Sequence, residues 1–276
     1  MTHQLAASLA AMFGLTDVCP VGGGHQAQVF TACGVSGPLI VKVIDAALAD
    51  PAQAVGRVTM AAALAAIEPD VCRPLPLAGR LVHEVRLADG GLGLATLWQL
   101  AGGRAPDPAD GADVARMGAA LARLHTAMAT LGPSGLPPVA AYRNELDSPS
   151  WQVLHGDFNT ANLRIDGDIV RVFDFDDCGR GPIEFDVANA IYMVLFDSYL
   201  AATPSIGQQF RTALLDGYAQ QSGTTFPADV IDREIVRRVN ALAGWLNVPE
   251  AAPVGIRTST DEWKQVLRAF VDDHRG

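Results

Sequence analysis

The chain has 276 residues, 49% of them hydrophobic and 18% charged, with a formal net charge of −10. A chain this long and this apolar buries a sizeable core, in one large domain or two lobes, and is not disordered. The negative charge excludes a general nucleic-acid binder, which needs a basic surface; it suits solubility first and a cationic substrate second.

The four cysteines, Cys19, Cys33, Cys72 and Cys178, show no CxxC spacing and none neighbours a histidine at ligand spacing. A disulfide framework or zinc site is not expected. The opening residues carry no basic region before an apolar stretch, and the longest apolar run, Val187–Phe196, is too short to span a bilayer. The expected location is cytoplasmic, with no membrane partner.

Taken in chain order, Leu5–Phe13 reads as a short helix. Val18–Val21, Gln26–Ala32 and Leu39–Ile44 read as strands separated by Gly22-Gly23-Gly24 and by a turn at Gly34–Pro38, which makes a small antiparallel sheet. Pro51–Ile67 is alanine-rich and helical in propensity, with Pro51 suited to the first turn. Arg80–Leu87 and Leu92–Leu100 add two strands. After Gly102-Gly103, Pro106 and Pro108 the character changes. Asp113–Thr130 places Val114, Met117, Leu121, Leu124 and Met128 at helical spacing. Leu131–Ser150 reads as loop. Two short strands near Leu163–Ile165 and Ile169–Phe173 flank Asp166-Gly167-Asp168, and from Ile183 onward the pattern is helical. The expected class is α+β: a β-rich N-terminal lobe over residues 1–98 and a mostly helical C-terminal lobe over 99–276.

The chemistry is concentrated in Leu154–Asp174. His155-Gly156-Asp157 is followed five residues later by Asn162, and a hairpin then returns the chain to Asp174. The turn gathers three oxygen-bearing side chains at one end of the hairpin. Oxygen ligands without Cys or His suit Mg²⁺. Phosphoryl transfer needs this set: metal-held phosphates and a carboxylate that takes the proton of the attacking hydroxyl. Asp157 is the expected base, and Asn162 and Asp174 are the expected metal ligands.

The segment LHGDFNTANLRIDGDIVRVFDFDDCGRGPIEFDVA, Leu154–Ala188, resembles the signature of the aminoglycoside phosphotransferase and choline kinase-like family, within the protein-kinase-like superfamily. The resemblance implies a bilobal kinase-like fold, ATP (or GTP) and Mg²⁺, and a small-molecule acceptor. It assigns the catalytic role to Asp157, metal binding to Asn162 and Asp174, and support of the catalytic loop to Asp186. In the N-terminal lobe it places Gly22, Gly23 and Gly24 over the triphosphate, Lys42 on its phosphates, and the backbone of Gln99 and Leu100 at the adenine. A lysine in the apolar strand Leu39–Ile44 also suits an exposed edge strand.

Kinase-like folds usually pair that lysine with a glutamate on the next helix, and Pro51–Ile67 has no acidic residue; Glu68 comes at its end. Protein kinases have an arginine where Gly156 stands and a long activation segment. Here Asp186 follows Asp174 by only twelve positions, which points to a small acceptor: an amino sugar, an amino alcohol or a homoserine-like compound. Asp176 and Glu184 are candidates for contacting it. His125 and His155 read as packed, loop-supporting histidines, His25 as a turn residue, and Cys178 as an apolar filler. The competing reading is a pseudokinase that binds nucleotide without turnover, favoured by the absent helix glutamate.

Overall fold

The computed structural model describes residues 2–21, 27–47, 50–132, 135–146, 148–248 and 259–274. The glycines Gly22, Gly23 and Gly24, with His25, lie outside the described residues. The chain divides into two compact units, Met1–Ala101 and Gly102–Gly276.

The first unit is built on a five-stranded antiparallel sheet in the order β1-β2-β3-β5-β4. Its strands are β1 (Thr16–Val21), β2 (Ala27–Gly34), β3 (Gly37–Asp45), β4 (His83–Arg86) and β5 (Leu92–Gln99). Helix α1 (Thr2–Phe13) packs Leu5, Leu9 and Phe13 into a core with Phe30, Val41, Val43, Ala95 and Leu97. Strand alternation makes this possible: Val41 and Val43 face the core, and Lys42 between them faces the other way. Helix α2 (Pro51–Ala65) starts where the sequence predicts. Asp50 caps it by accepting the Ala52 N–H, and Pro51 fills the first turn, where its missing N–H costs nothing.

The second unit holds α3 (Gly111–Thr130), α4 (Ile183–Leu200), α5 (Pro204–Ser222), α6 (Ala228–Asn247) and α7 (Asp261–His274). It also holds two small ribbons. One pairs β6 (Gln152–Leu154) with β9 (Gly179–Gly181), and the other pairs β7 (Leu163–Asp166) with β8 (Ile169–Val172). The predicted stripe of α3 is buried at Val114, Met117, Leu121, Leu124 and Met128. The β6–β9 ribbon is not foreseen by the sequence reading, because three-residue strands show no period.

Two glycines let α3 and α5 touch backbone to backbone. A Cβ on Gly118 would overlap the Leu214 carbonyl and sit 2.7 Å from the Tyr218 nitrogen, and a Cβ on Gly217 would overlap the Ala115 carbonyl. Neither neighbour is a side chain that can swing away. Gly118→Ala is therefore expected to destabilise the protein by about 1–3 kcal/mol or more, despite alanine's better helix propensity. A denaturant melt checks this, and an unchanged midpoint would contradict the close crossing.

The ribbons are fixed from both sides. Arg104 and Ile165 exchange backbone hydrogen bonds of 3.0 and 2.7 Å, tying the chain before α3 to β7. The Arg104 guanidinium also forks onto the buried Asp113 carboxylate, with 2.9 Å between Nη2 and Oδ1. That hydrogen bond, against the opposing effect of burial, holds the Asp113 carboxyl below its ordinary range.

Candidate active site

The loop that leaves β6 turns sharply at Gly156, where φ is +83°. A Cβ there would overlap the Asp177 carbonyl, so the position occupied by arginine in protein kinases is here restricted to glycine by backbone contact as well as by conformation.

Asp186, fully buried in the first turn of α4, clamps this turn. Its Oδ2 accepts the His155 N–H at 2.7 Å and its Oδ1 accepts the Gly156 N–H at 2.8 Å. His125 Nε2 lies 3.3 Å from Oδ2, and His125 Nδ1 lies 2.9 Å from the Tyr218 hydroxyl of α5. Burial alone would raise the Asp186 carboxyl, but the bonds from His125 and Gly156 outweigh it and its pKa is lowered. His155 is also buried: its Nε2–H donates to the Phe173 carbonyl at 3.0 Å, and its Nδ1 accepts the Asp157 N–H at 3.3 Å. Both ring nitrogens are thus used in holding main chain, which leaves His155 no role in proton transfer.

Asp157 is held by two amides. Asn162 Nδ2 donates to the Asp157 carbonyl and to its Oδ2, each at 2.9 Å, and Asn189 Nδ2 approaches Oδ1 at 3.4 Å. Burial pushes the Asp157 carboxyl pKa up and the nearby Asp177 adds to this, while His155, Arg238 and Asn189 oppose it. Asn159 shapes the following turn: its side chain accepts the Ala161 N–H at 2.9 Å and its amide donates to the Asp157 carbonyl at 3.0 Å.

The hairpin of β7 and β8 then closes the arrangement. Phe173 N–H donates to the Asn162 carbonyl at 3.2 Å, so the residue preceding Asp174 is bonded to Asn162. Asp174 itself is left-handed, with φ +69°, a conformation that aspartate tolerates better than most residues.

The oxygen set fits a hard divalent cation. Asn162 spends its amide hydrogens on Asp157, and its Oδ1 accepts no hydrogen bond among the described residues. No group of three His, Cys, Asp or Glu side chains among them suits a metal. One amide oxygen and one carboxylate, completed by phosphates and water, is the kind of site Mg²⁺ uses.

The remaining predicted residues fall as follows. Lys42 lies on β3, the central strand of the sheet, paired with Val29 and Thr96, and is buried; the edge-strand alternative is therefore overturned. Gln99 ends β5 and its N–H donates to the Arg73 carbonyl at 2.9 Å, with Leu100 exposed just beyond. Glu68 lies past the end of α2, where its carboxylate accepts the Asp70 N–H at 3.3 Å. Asp176 follows Asp174 in the turn before β9, half-buried. Glu184, half-buried in the first turn of α4, adds to the effect of burial in raising the Tyr218 hydroxyl pKa.

Asn189 and Arg238 were not singled out from the sequence. The signal for Asn189 was present: it is the one amide within the apolar run Val187–Phe196. A polar side chain in a fully buried stretch is there to make hydrogen bonds.

Residues 136–228 match the model of the APH family, described as the phosphotransferase enzyme family. None of the curated proteins matches the chain. Among solved structures, the chain is similar to the amicoumacin kinase hAmiN in complex with AMP-PNP, Ca²⁺ and Ami. The TM-score is 0.72 at 17% identity, covering 99% of this chain and 96% of that one. It is equally similar to a microcompartment-associated aminopropanol kinase, with TM-score 0.72 at 17% identity over 98% and 95% of the two chains. A thermostable mutant of the aminoglycoside phosphotransferase APH(4)-Ia gives 0.61 at 12% identity over 98% and 99%. The fold is thus the α+β fold of these kinases, and the resemblance seen in Leu154–Ala188 is borne out. No helix among the described residues is long and apolar enough to cross a membrane.

Proposed function

We propose that this chain is an ATP-dependent small-molecule kinase, moving the γ-phosphoryl group of a cytoplasmic nucleoside triphosphate to an acceptor hydroxyl. The observation that carries the reading is the Asp157 carboxylate, gripped by Asn162 and Asn189 in a loop clamped by Asp186, with Asp174 brought beside Asn162 by the hairpin. In the reaction the acceptor oxygen forms a bond to the γ-phosphorus, and the bond from that phosphorus to the β–γ bridging oxygen breaks, releasing ADP. The acceptor's proton passes to Asp157. The raised pKa of this carboxyl makes it a better proton acceptor than an ordinary aspartate. Asn162 and Asp174 hold Mg²⁺, which when bound neutralises phosphate charge. Lys42, Gly22, Gly23 and Gly24 bind the phosphates, and the main chain at Gln99 and Leu100 meets the base. Asp176 and Glu184, near the metal site in sequence, contact the acceptor.

The test is ADP release from Mg²⁺–ATP, and in parallel from Mg²⁺–GTP. The acceptors are amino sugars, amino alcohols, hydroxy amino acids and neutral sugars. Acceptor-stimulated release establishes the activity. Nucleotide binding without release from any acceptor favours the pseudokinase, whose supporting observation is the acid-free α2 with Glu68 beyond its end. Asp174→Ala is expected to remove the Mg²⁺ dependence of nucleotide binding, read by titration with and without the metal. Unchanged Mg²⁺–ATP affinity would refute its role as ligand.

A further inference from the structure

Helix α4 carries Phe185, Asn189 and Tyr192 at positions i, i+4 and i+7, the spacing of one helix face. The middle residue, Asn189, touches the Asp157 carboxylate at 3.4 Å and the Phe158 carbonyl at 3.3 Å. Arg238 reaches across from α6 and lays its guanidinium over the two outer rings, with Cζ 5.3 Å from the Phe185 centroid and 5.0 Å from that of Tyr192. A group seated over both rings is seated above the residue between them. Its charge is felt at Asp157, where it counts among the influences that lower the carboxyl pKa.

The other arginines of α5 and α6 are neutralised. Arg211 pairs with Asp232, Arg233 with Asp229, and Arg237 with Glu145 and Glu234. Arg238 makes no ion pair among the described residues, and its Nε is buried with no hydrogen-bond partner. The same holds for Oδ1 of Asn189, a side chain that is 0% exposed. Flipping that amide does not help, because both partners of its Nδ2 are acceptors. The strip therefore holds a cation on an aromatic platform, an unspent donor and an unspent acceptor, all beside the carboxylate that takes the acceptor's proton. A purely cationic acceptor would meet repulsion from Arg238.

We propose that Arg238 is the receptor for a carboxylate on the acceptor, so that the substrate is a hydroxy acid, and in particular a hydroxy amino acid, rather than an amino sugar or a simple amino alcohol. The planar guanidinium matches a carboxylate with two parallel N–H donors, and the aromatic rings keep it flat. The proposal rests on the kinase reading above and names its substrate class.

The test compares serine, threonine, homoserine and 3-hydroxybutyrate with the amino alcohols and amides that lack the carboxylate, all in the Mg²⁺–ATP assay. Wild-type protein, Arg238→Met and Arg238→Lys are used. The wild type is expected to turn over a carboxylate-bearing acceptor with the lower KM. Arg238→Met should raise that KM about 10- to 100-fold, the loss expected for a charged hydrogen-bonded pair, with kcat and the KM for ATP nearly unchanged. Arg238→Lys, which keeps charge and fold, should recover part of the loss. Turnover confined to acceptors without an anionic group overturns the proposal while leaving the kinase reading intact. So does a fall in kcat at constant acceptor KM, which would mean that Arg238 acts through Asp157. Failure of the wild type to release ADP with every acceptor overturns both.

Discussion

Asp157→Ala is expected to lower kcat by about 10²- to 10⁴-fold, the range for removing a positioned general base, while leaving Mg²⁺–ATP affinity nearly unchanged. The second half of the expectation comes from how Asn162 is held. One of its two hydrogen bonds to Asp157 goes to the main-chain carbonyl, at 2.9 Å, and survives the substitution. Asn162 also keeps its backbone bond from Phe173, so the metal side of the site retains its anchor. Asn189 loses its bond to Oδ1 but keeps Phe158. Single-turnover measurements with saturating nucleotide separate chemistry from binding. Retention of more than about a tenth of the wild-type rate would remove Asp157 from the role of base.

Asp186→Asn is expected to cost about 3–5 kcal/mol of stability and most of the activity. The carboxylate accepts hydrogen bonds from two backbone N–H groups and lies beside His125, all within the buried interior. An asparagine of the same shape offers one oxygen and turns its NH₂ toward a donor, so at least one buried N–H is left facing another N–H. The turn through Gly156 that aims Asp157 loosens with it. The pH dependence has a definite sign. Because the folded-state pKa of Asp186 lies below its ordinary value, its stabilisation is fully present above the unfolded value, about 4, and is lost as pH falls through the folded pKa. The stability gap between wild type and Asp186→Asn should therefore be constant from neutral pH down to about 5 and narrow below about 4. Denaturant midpoints across that range measure it; a gap that widens on acidification would contradict the assignment.

Much of the machinery was legible because it is local. His155, Asp157, Asn162 and Asp174 sit in one stretch whose turn at Asp166–Asp168 dictates a hairpin, and the observed strands β7 and β8 differ from expectation by a residue at their ends. Helix α3 was readable from its apolar spacing, and α2 from its alanine content and its proline. Lys42 stood out as the lone charge in an apolar strand, but an edge and a central strand look alike in one sequence; the pairing with both β2 and β5 distinguishes them. The β6–β9 ribbon escaped notice because it pairs residues far apart in the chain, with too few in each strand to show alternation.

By itself, the sequence pointed to the class of chemistry proposed for the chain and to the loop assigned to it, since a sharp turn and a hairpin depend on neighbours in the chain. Only the tertiary structure decided which distant groups surround that loop. His125 and Tyr218 come to Asp186 because α3 and α5 meet at Gly118 and Gly217. Arg238 comes to Phe185 and Tyr192 because α6 packs on α4. Asn189 is a core residue by its surroundings and a partner of Asp157 by its hydrogen bond. A helix shows its own apolar face in its sequence, but the residue opposite that face is chosen by how helices cross, and that choice is made by packing over the whole unit.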